Sequence, residues 1–260
     1  MAPVLLIVPG SFCPPSEYDP VVEGARAKGI EIRAIPLVTA GKKPGDLPTM
    51  YDDAVSIVKE IEKEADAGKD VVVVSHSYGG TPASQAVKGV TKAEREKAGK
   101  KGGLVRLAFM TAVVPYEGAA AGTFMAECEA PGGYTAADED GWLYHPDPAV
   151  SASYVFNEKT PEEGYKRVID AFIQHSSVSF GNELTYAGYA DVPSSWLFCD
   201  KDLCVPPNVQ QAGIDAIEKA SGKKVDVRHI DHDHVPNESA PEEVIDWFVH
   251  LSKLGGKETA

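Results

Sequence analysis

One short segment constrains the fold of this chain more than any other. Four valines at 71–74 run directly into Ser-His-Ser-Tyr-Gly at 75–79, and a stretch compatible with a helix follows. The valine run predicts a buried strand. A sharp turn from strand to helix strains its central residue and lifts that side chain clear of the sheet. Because Gly79 and Gly80 leave room on the helix side, the segment predicts Ser77 as a nucleophile at the end of a strand.

Apolar strands alternate with helical stretches along most of the chain. This alternation predicts an α/β fold with a mostly parallel central sheet and helices on both faces. The predicted strand segments are residues 4–8, 30–35, 71–74, 104–110, 195–202 and 225–230. The charged, glycine-ended segment at 91–103 is predicted to be a connection.

Two helices carry clear start signals. One is predicted to begin near Thr49, where Asp52 has the spacing of a capping box. The other is predicted to begin at Thr160, which is followed by proline and two glutamates. Apolar residues at helical spacing predict their buried faces: Ala54, Val55, Val58 and Ile61 in the first helix, and Tyr165, Val168, Ile169, Phe172 and Ile173 in the second.

The length of the chain favours a single domain. Its 260 residues, 43% of them hydrophobic, suffice for one sizeable core. The segment 113–191 breaks the alternation and is too long and too rich in aromatic residues for a plain crossover. We therefore predict one domain, 1–260, with a helical cap inserted at about 115–190 over the serine.

The predicted cap and the loop after the first strand contain residues suited to an apolar pocket. Pockets are lined mainly by aromatic and aliphatic side chains, as cores also are. The predicted substrate contacts are Phe12, Phe124, Met125, Trp142, Tyr154 and Phe156, and further cap candidates are Leu143, Tyr144, Phe180 and Tyr186.

An acid and a base follow the serine in the order that a serine, acid, histidine triad can take. The candidate acids, Asp200 and Asp202, end the strand segment at 195–202. The candidate bases, His229, His232 and His234, end or follow the segment at 225–230. Each group lies at the carboxyl end of a strand, where α/β sheets place their sites.

These segments resemble the small α/β-hydrolases that include plant methyl-ester esterases, hydroxynitrile lyases and fungal relatives. In that family the acid lies in a Cys-x-x-Asp-x-x-x-Pro stretch, which matches 199–206 and implies Asp202 as the acid. The base precedes a Pro-Glu-Glu-Val helix start by seven residues, which implies His234. The resemblance covers nearly the whole chain and implies the α/β-hydrolase fold.

The oxyanion hole of such a site needs two backbone N–H groups. One comes from the residue after the nucleophile, which is Tyr78. The other comes from the loop after the first strand, where family members usually read His-Gly and this chain reads Pro9-Gly10. We therefore predict Ser11 and Tyr78 as the donors.

Charge and composition limit the partners. The formal net charge of −14 disfavours nucleic acid and anionic membrane surfaces, and a small, largely apolar molecule remains the expected partner. The apolar segment at the start is too short for a signal peptide or a membrane span. Four cysteines without metal-type spacing indicate reduced thiols. We expect a cytoplasmic protein without a cofactor or a metal, and the sequence leaves the oligomeric state open.

The combined pattern predicts a serine hydrolase that cleaves an ester or lactone of a small metabolite, such as an aromatic or polyketide-like one, through an acyl-enzyme. One alternative is a cofactor-free lyase or cyclase of secondary metabolism, with hydroxynitrile-lyase-like or retro-aldol chemistry. In the hydroxynitrile lyases a lysine follows the histidine and a threonine replaces the loop glycine, whereas this chain has Val235 and Gly10. Another alternative is a binding protein with a silent triad. A metal site would use His229, His232 and His234 with Asp231 and Asp233.

Overall fold

A parallel sheet forms the centre of the computed structural model, which describes residues 2–258. The strands are β1 (Val4–Val8), β2 (Ile32–Ala34), β3 (Asp70–His76), β4 (Gly103–Met110), β5 (Ala136–Ala137), β6 (Trp142–Tyr144), β7 (His175–Ser176), β8 (Ser194–Cys199) and β9 (Asp226–Ile230). Six of them form the main sheet in the order β2-β1-β3-β4-β8-β9, and each neighbouring pair is parallel. The predicted sheet is confirmed, with β2 shorter than the predicted 30–35.

Helices connect the strands. They are α1 (Asp19–Ala27), α2 (Met50–Asp66), α3 (Gly80–Gln85), α4 (Lys92–Lys97), α5 (Ala121–Glu127), α6 (Pro148–Val155), α7 (Pro161–Ala171), α8 (Pro207–Ser221), α9 (Pro236–Ser239) and α10 (Pro241–Leu254). Across residues 2–258, no helix combines the length and apolar character that crossing a membrane requires.

The valines of β3 belong to two cores because successive side chains of a strand point to opposite faces. Val71 and Val73 pack with residues of α2 and α8 on one face, and Val72 and Val74 pack with α1 and α10 on the other. Full burial of a valine contributes about 1.5–3 kcal/mol. The strand that carries the nucleophile is therefore held from both sides of the sheet.

Most of the chain between β4 and β8 covers the carboxyl ends of the strands, around the cavity. This segment, 111–193, contains α5, α6, α7 and a small antiparallel sheet, β5-β6-β7, which was not predicted. The predicted cap range, 115–190, falls within it. Apolar residues of α5, α6 and α7 share one buried cluster with Cys204, Val205 and Val235. Leu184, Tyr189 and Val192 pack in the core of the main sheet. The cap therefore packs against the two loops that were predicted to carry the acid and the base.

The start of α2 is as predicted, and Ala54 and Ile61 are buried as predicted. Thr49 and Asp52 form the predicted capping box. Val55, however, is 54% exposed, while Asp53 and Ile57 are buried. The buried carboxylate of Asp53 accepts hydrogen bonds from the backbone N–H groups at 38 and 39.

Two further expectations about helices are corrected. In α7, Val168 is buried as predicted, but Tyr165 and Ile169 are exposed, since α7 packs through the small residues Gly164 and Ala171. A Cβ on Gly164 would lie 3.1 Å from the Cβ of Ala152 in α6, so the two helices meet closely. The segment 91–103, which was predicted to be a connection, contains α4. A capping box formed by Thr91 and Glu94 starts this helix.

Candidate active site

Ser77 occupies the turn between β3 and α3. Its φ of 52° lies in the left-handed region, which costs a residue with a Cβ about 1–3 kcal/mol. The turn is tight on the helix side. A Cβ on Gly79 would lie 2.5 Å from the carbonyl oxygen of Pro9, and one on Gly80 would lie 2.7 Å from that of Val113. These distances confirm the predicted requirement for glycine and show the turn pressed against the loop after β1.

The carboxylate of Asp202 is fully buried in the loop after β8. Its Oδ1 accepts hydrogen bonds from the backbone N–H groups of Cys204 (2.7 Å) and Val205 (2.8 Å). Its Oδ2 accepts from the Thr111 hydroxyl and from Nδ1 of His234, at 2.7 Å. Four donors stabilise the buried charge where a lone carboxylate would be costly.

Two residues that support Asp202 were missed in the sequence. Thr111 directly follows β4 and has a φ of 38°, and its position at the carboxyl end of a strand was the one available signal. Gln210 lies on α8, and its buried amide bonds to the backbone of Cys199 and Val205. The acid loop is thus fixed by contacts between residues distant in the chain.

His234 lies between Ser77 and Asp202. The Ser77 hydroxyl lies 3.0 Å from Nε2, and Nδ1 lies 2.7 Å from Asp202 Oδ2. Burial of the ring acts to lower the pKa of His234, but the charge of Asp202 acts in the opposite direction, and the pKa is raised well above 6.5. A carboxylate accepts from Nδ1–H, so Nε2 of the neutral ring is free to take the proton of Ser77.

His76, at the variable position of the turn, bonds to the base loop. Its Nε2 lies 2.7 Å from the backbone oxygen of His234, and its Nδ1 lies 2.6 Å from the Tyr18 hydroxyl. Because a carbonyl can only accept, Nε2 carries the proton and Tyr18 donates to Nδ1. Burial lowers the pKa of His76 to about 3, so the ring is neutral. The Gly10 N–H donates to Tyr18 at 3.2 Å, which joins the β1 loop to the base loop.

We expect Tyr18→Phe to lower both stability and turnover. It leaves Nδ1 of His76 and the N–H of Gly10 without their partner in a buried place, at a cost of about 1–3 kcal/mol. The melting temperature should fall by several degrees, and kcat on an aryl ester by about tenfold because the His234 loop loses its support. Exposed Tyr144→Phe is the control. If Tyr18→Phe leaves the melting temperature and kcat unchanged, the hydrogen bonds from Gly10 through Tyr18 and His76 to the His234 loop have no positioning role.

The two predicted oxyanion donors, Ser11 and Tyr78, border the cavity beside Ser77. The Tyr78 hydroxyl donates to the buried carboxylate of Asp53 at 3.0 Å, which anchors the residue after the nucleophile. A Cβ on Gly10 would lie 3.1 Å from the Cβ of Ser77. The loop after β1 therefore lies directly against the nucleophile, and the donor role of both N–H groups stays a prediction.

A cavity of about 460 Å³ opens at Ser77 and His234. Phe12, Met125 and Phe156, which were predicted to contact the substrate, lie in its wall, as do Leu143 and Phe180. Sequence reasoning missed several other wall residues, which come from loops, from α7 and from the short α9: Tyr134, His145, Arg167, Phe172 and Asn237.

Three predicted substrate contacts lie outside the cavity wall. Phe124 is buried in the apolar cluster between cap and core. Trp142 is 1% exposed and pairs with β7. Tyr154 stacks on Tyr134 with ring centroids 5.3 Å apart, one layer behind the wall. The cap candidates Tyr144 and Tyr186 also lie elsewhere. Phe124, Trp142 and Tyr154 pack within the cap, a use that composition alone does not distinguish from substrate contact.

The other histidines near the base form surface pairs. His229 lies 3.0 Å from Asp200, and His232 lies between Glu158 and Glu243. Within the described part of the chain, no three histidine, cysteine or acidic residues are grouped as metal ligands. The structure therefore separates His234 and Asp202 from the residues that competed with them in the sequence.

A parallel sheet that presents a serine on a strained strand-to-helix turn, with a histidine and a buried aspartate from later strands, defines the α/β-hydrolase class. The profile of the alpha/beta hydrolase family matches residues 5–247. The chain belongs to this family, as the sequence predicted.

Similar proteins support this membership. The "Probable hydrolase R7" of Phoma sp. is 35% identical over 253 residues, which are 97% of this chain and 99% of the relative. Two solved structures share the fold. Polyneuridine aldehyde esterase has a TM-score of 0.72 and 18% identity, with 97% of this chain and 100% of that chain covered. Tomato methylketone synthase I has a TM-score of 0.73 and 15% identity, with 98% and 99% covered.

Proposed function

We propose that this protein is a carboxylic ester hydrolase that cleaves an ester or lactone of a small, largely apolar metabolite through an acyl-enzyme. Ser77 attacks the carbonyl carbon while His234 accepts its proton, and His234 then returns that proton to the leaving alcohol. Asp202 orients the imidazole, and the N–H groups of Ser11 and Tyr78 stabilise the oxyanion. Water then attacks the acyl-enzyme with His234 as the base. These steps use no cofactor.

One observation carries this proposal. Ser77, His234 and Asp202 form an unbroken hydrogen-bonded line, with distances of 3.0 and 2.7 Å, that opens on the cavity. A nucleophile bonded to a base that a third group orients is the arrangement that acyl transfer requires. The names of the Phoma relative, a hydrolase, and of the structural neighbour that is an esterase agree with it.

The loop after β1 favours ester hydrolysis over hydroxynitrile-lyase chemistry. The lyase pattern needs a threonine at Gly10 and a lysine at Val235. A side chain at Gly10 would begin 3.1 Å from the Cβ of Ser77, so one of the two would have to shift by a few tenths of an ångström. The glycine at position 10 therefore fits the loop as it lies against Ser77 and agrees with the esterase pattern.

A burst assay tests the proposal. With a short-chain 4-nitrophenyl ester, the parent protein should release a burst of nitrophenol equal to about one per active site, since such acyl-enzymes accumulate. Intact mass of the quenched protein should show one acyl adduct, located by peptide mapping to Ser77. If neither a burst nor an adduct is observed, the proposal is overturned. Lyase chemistry or ligand binding without turnover would then be the favoured functions.

A further inference from the structure

One segment of the cap contacts both loops that complete the site. Asn157 and Glu158 lie in the connection between α6 and α7. They contact Lys201, which directly precedes Asp202, and they contact the two residues that precede His234. Both cap residues lie outside the cavity wall. The segment therefore touches the chain neighbours of the acid and of the base without bordering the substrate.

Both cap residues bond to the acid loop. The side-chain amide of Asn157 donates to the backbone oxygen of Lys201 at 3.1 Å, and the Lys201 ammonium lies 3.4 Å from Oε1 of Glu158. The backbone N–H of Lys201 donates in turn to the backbone oxygen of His232 at 3.1 Å. Lys201 is thus held by the cap and by the base loop together, one residue before Asp202.

Glu158 bonds to the base loop through its side chain and its backbone. Its Oε2 lies 2.8 Å from Nδ1 of His232 and accepts from the backbone N–H of Asp233 at 3.3 Å. The backbone N–H of Glu158 donates to Oδ2 of Asp233, also at 3.3 Å. Asp233 is fully buried, and its Oδ1 accepts from the backbone N–H of Val235 at 3.1 Å. The residues on both sides of His234 are therefore connected to Glu158.

The charges around Glu158 fit these contacts. Partial burial acts to raise the pKa of Glu158, but the hydrogen bond to His232 acts in the opposite direction, and the pKa is lowered. Glu158 is thus a carboxylate, which can only accept. The other ring nitrogen of His232 lies 3.2 Å from Glu243, so the ring faces a carboxylate at each nitrogen and donates from both when it is protonated. His232 and Lys201 together compensate the charge that Glu158 brings close to Asp233.

We infer that Glu158 is a positioning residue for the hydrogen bond between His234 and Asp202, so that the cap takes part in catalysis beyond enclosing the substrate. This inference rests on the proposed function for the reaction and adds a residue that acts through His234. A displacement of about 1 Å in a catalytic site can cost about a hundredfold in rate. If Glu158 only fastened the cap, its loss would disturb the cavity wall and act mainly on KM.

Two substitutions of Glu158 separate its position from its charge. Glu158 lies at the surface, so both variants should fold. With a 4-nitrophenyl ester, Glu158→Ala should lower kcat by about tenfold or more and leave KM within about threefold. Glu158→Gln should keep kcat within about threefold of the parent value, because an amide oxygen still accepts from the base loop. Exposed Glu162→Ala, in the first turn of α7, is the matched control and should leave kcat and KM unchanged.

The pKa of His234 gives a second readout that needs no turnover. It is measured by NMR titration of the His234 ring protons, which are identified by their loss in His234→Gln. Burial acts to lower this pKa, and the charge of Asp202 raises it well above 6.5. When Glu158→Ala loosens the contact with Asp202, the midpoint should move to lower pH by about 0.5 or more. It should move by clearly less in Glu158→Gln.

Each result decides for or against the positioning role. An unmoved midpoint in Glu158→Ala would overturn the inference, whatever happens to kcat. A rise in KM as the main effect would also overturn it, since Glu158 would then only fasten the cap. Equal losses in Glu158→Ala and Glu158→Gln would overturn it as well, because charge alone would then account for the effect. If the midpoint moves as expected but the parent forms no acyl adduct, the proposed hydrolase function fails and the positioning of His234 stands.

Discussion

Ser77→Ala should lower kcat for an aryl ester by about 10⁴-fold or more and abolish the acyl adduct. The reason is that the hydroxyl which forms the acyl-enzyme is gone, while His234 and the cavity remain. Loss of the nucleophile in such triads removes nearly all of the rate that the assembled site provides. The measurement is steady-state kinetics together with intact mass of the quenched reaction.

Ser75→Ala is the matched control for this experiment. Ser75 is the same residue type two positions earlier in β3, fully buried, and its hydroxyl lies 3.4 Å from the backbone oxygen of Ala108. Loss of the Ser75 hydroxyl should leave kcat within about threefold of the parent value, since its contact with Ala108 is long and weak. If Ser77→Ala kept kcat within tenfold of the parent, the assignment of the nucleophile would be wrong.

Asp202→Asn should lower kcat by about 10³- to 10⁴-fold, because an amide in place of the carboxylate no longer holds the useful tautomer of His234. The substitution should also change the pH dependence of kcat/KM. In the parent, kcat/KM should rise with pH through a midpoint above 6.5, since protonated His234 cannot act as a base and its pKa is raised.

In Asp202→Asn that midpoint should move to lower pH. The charge that favoured the imidazolium is gone, while burial of the ring still disfavours it. Asp200→Asn is the matched control, since Asp200 lies two residues earlier, pairs with exposed His229, and should leave both kcat and midpoint unchanged. A midpoint that stays in place in Asp202→Asn would contradict the electrostatic coupling of Asp202 to His234.

The catalytic candidates were readable in the sequence because their signals are local. A run of valines before a serine that Gly79 and Gly80 soon follow predicts the strand and turn that present Ser77. The segments that carry Asp202 and His234 each end a strand, and parallel strands bring their carboxyl ends to one edge of the sheet. The resemblance then separated Asp202 from Asp200 and His234 from its two neighbours.

The cap was harder to predict because burial there depends on contacts between distant segments. Tyr165 and Ile169 have the spacing of a buried helix face, yet α7 packs through Gly164 and Ala171. Trp142 was predicted to contact the substrate because it is aromatic. It lies instead in β6, outside the cavity wall. Helical spacing predicts that one face is apolar, but not whether another element is present to cover it.

The sequence by itself determined the parallel sheet, the strained serine turn and the order of the triad, since hydrophobic periodicity and turn residues act within a few positions of the chain. Tertiary structure alone decided the supports: Thr111 on Asp202, and His76 with Tyr18 between the two loops. It also decided the cavity wall, including His145 and Asn237. These contacts join residues that are far apart in the chain, and a hydrogen bond between them exists once folding has fixed the distance and direction of both partners.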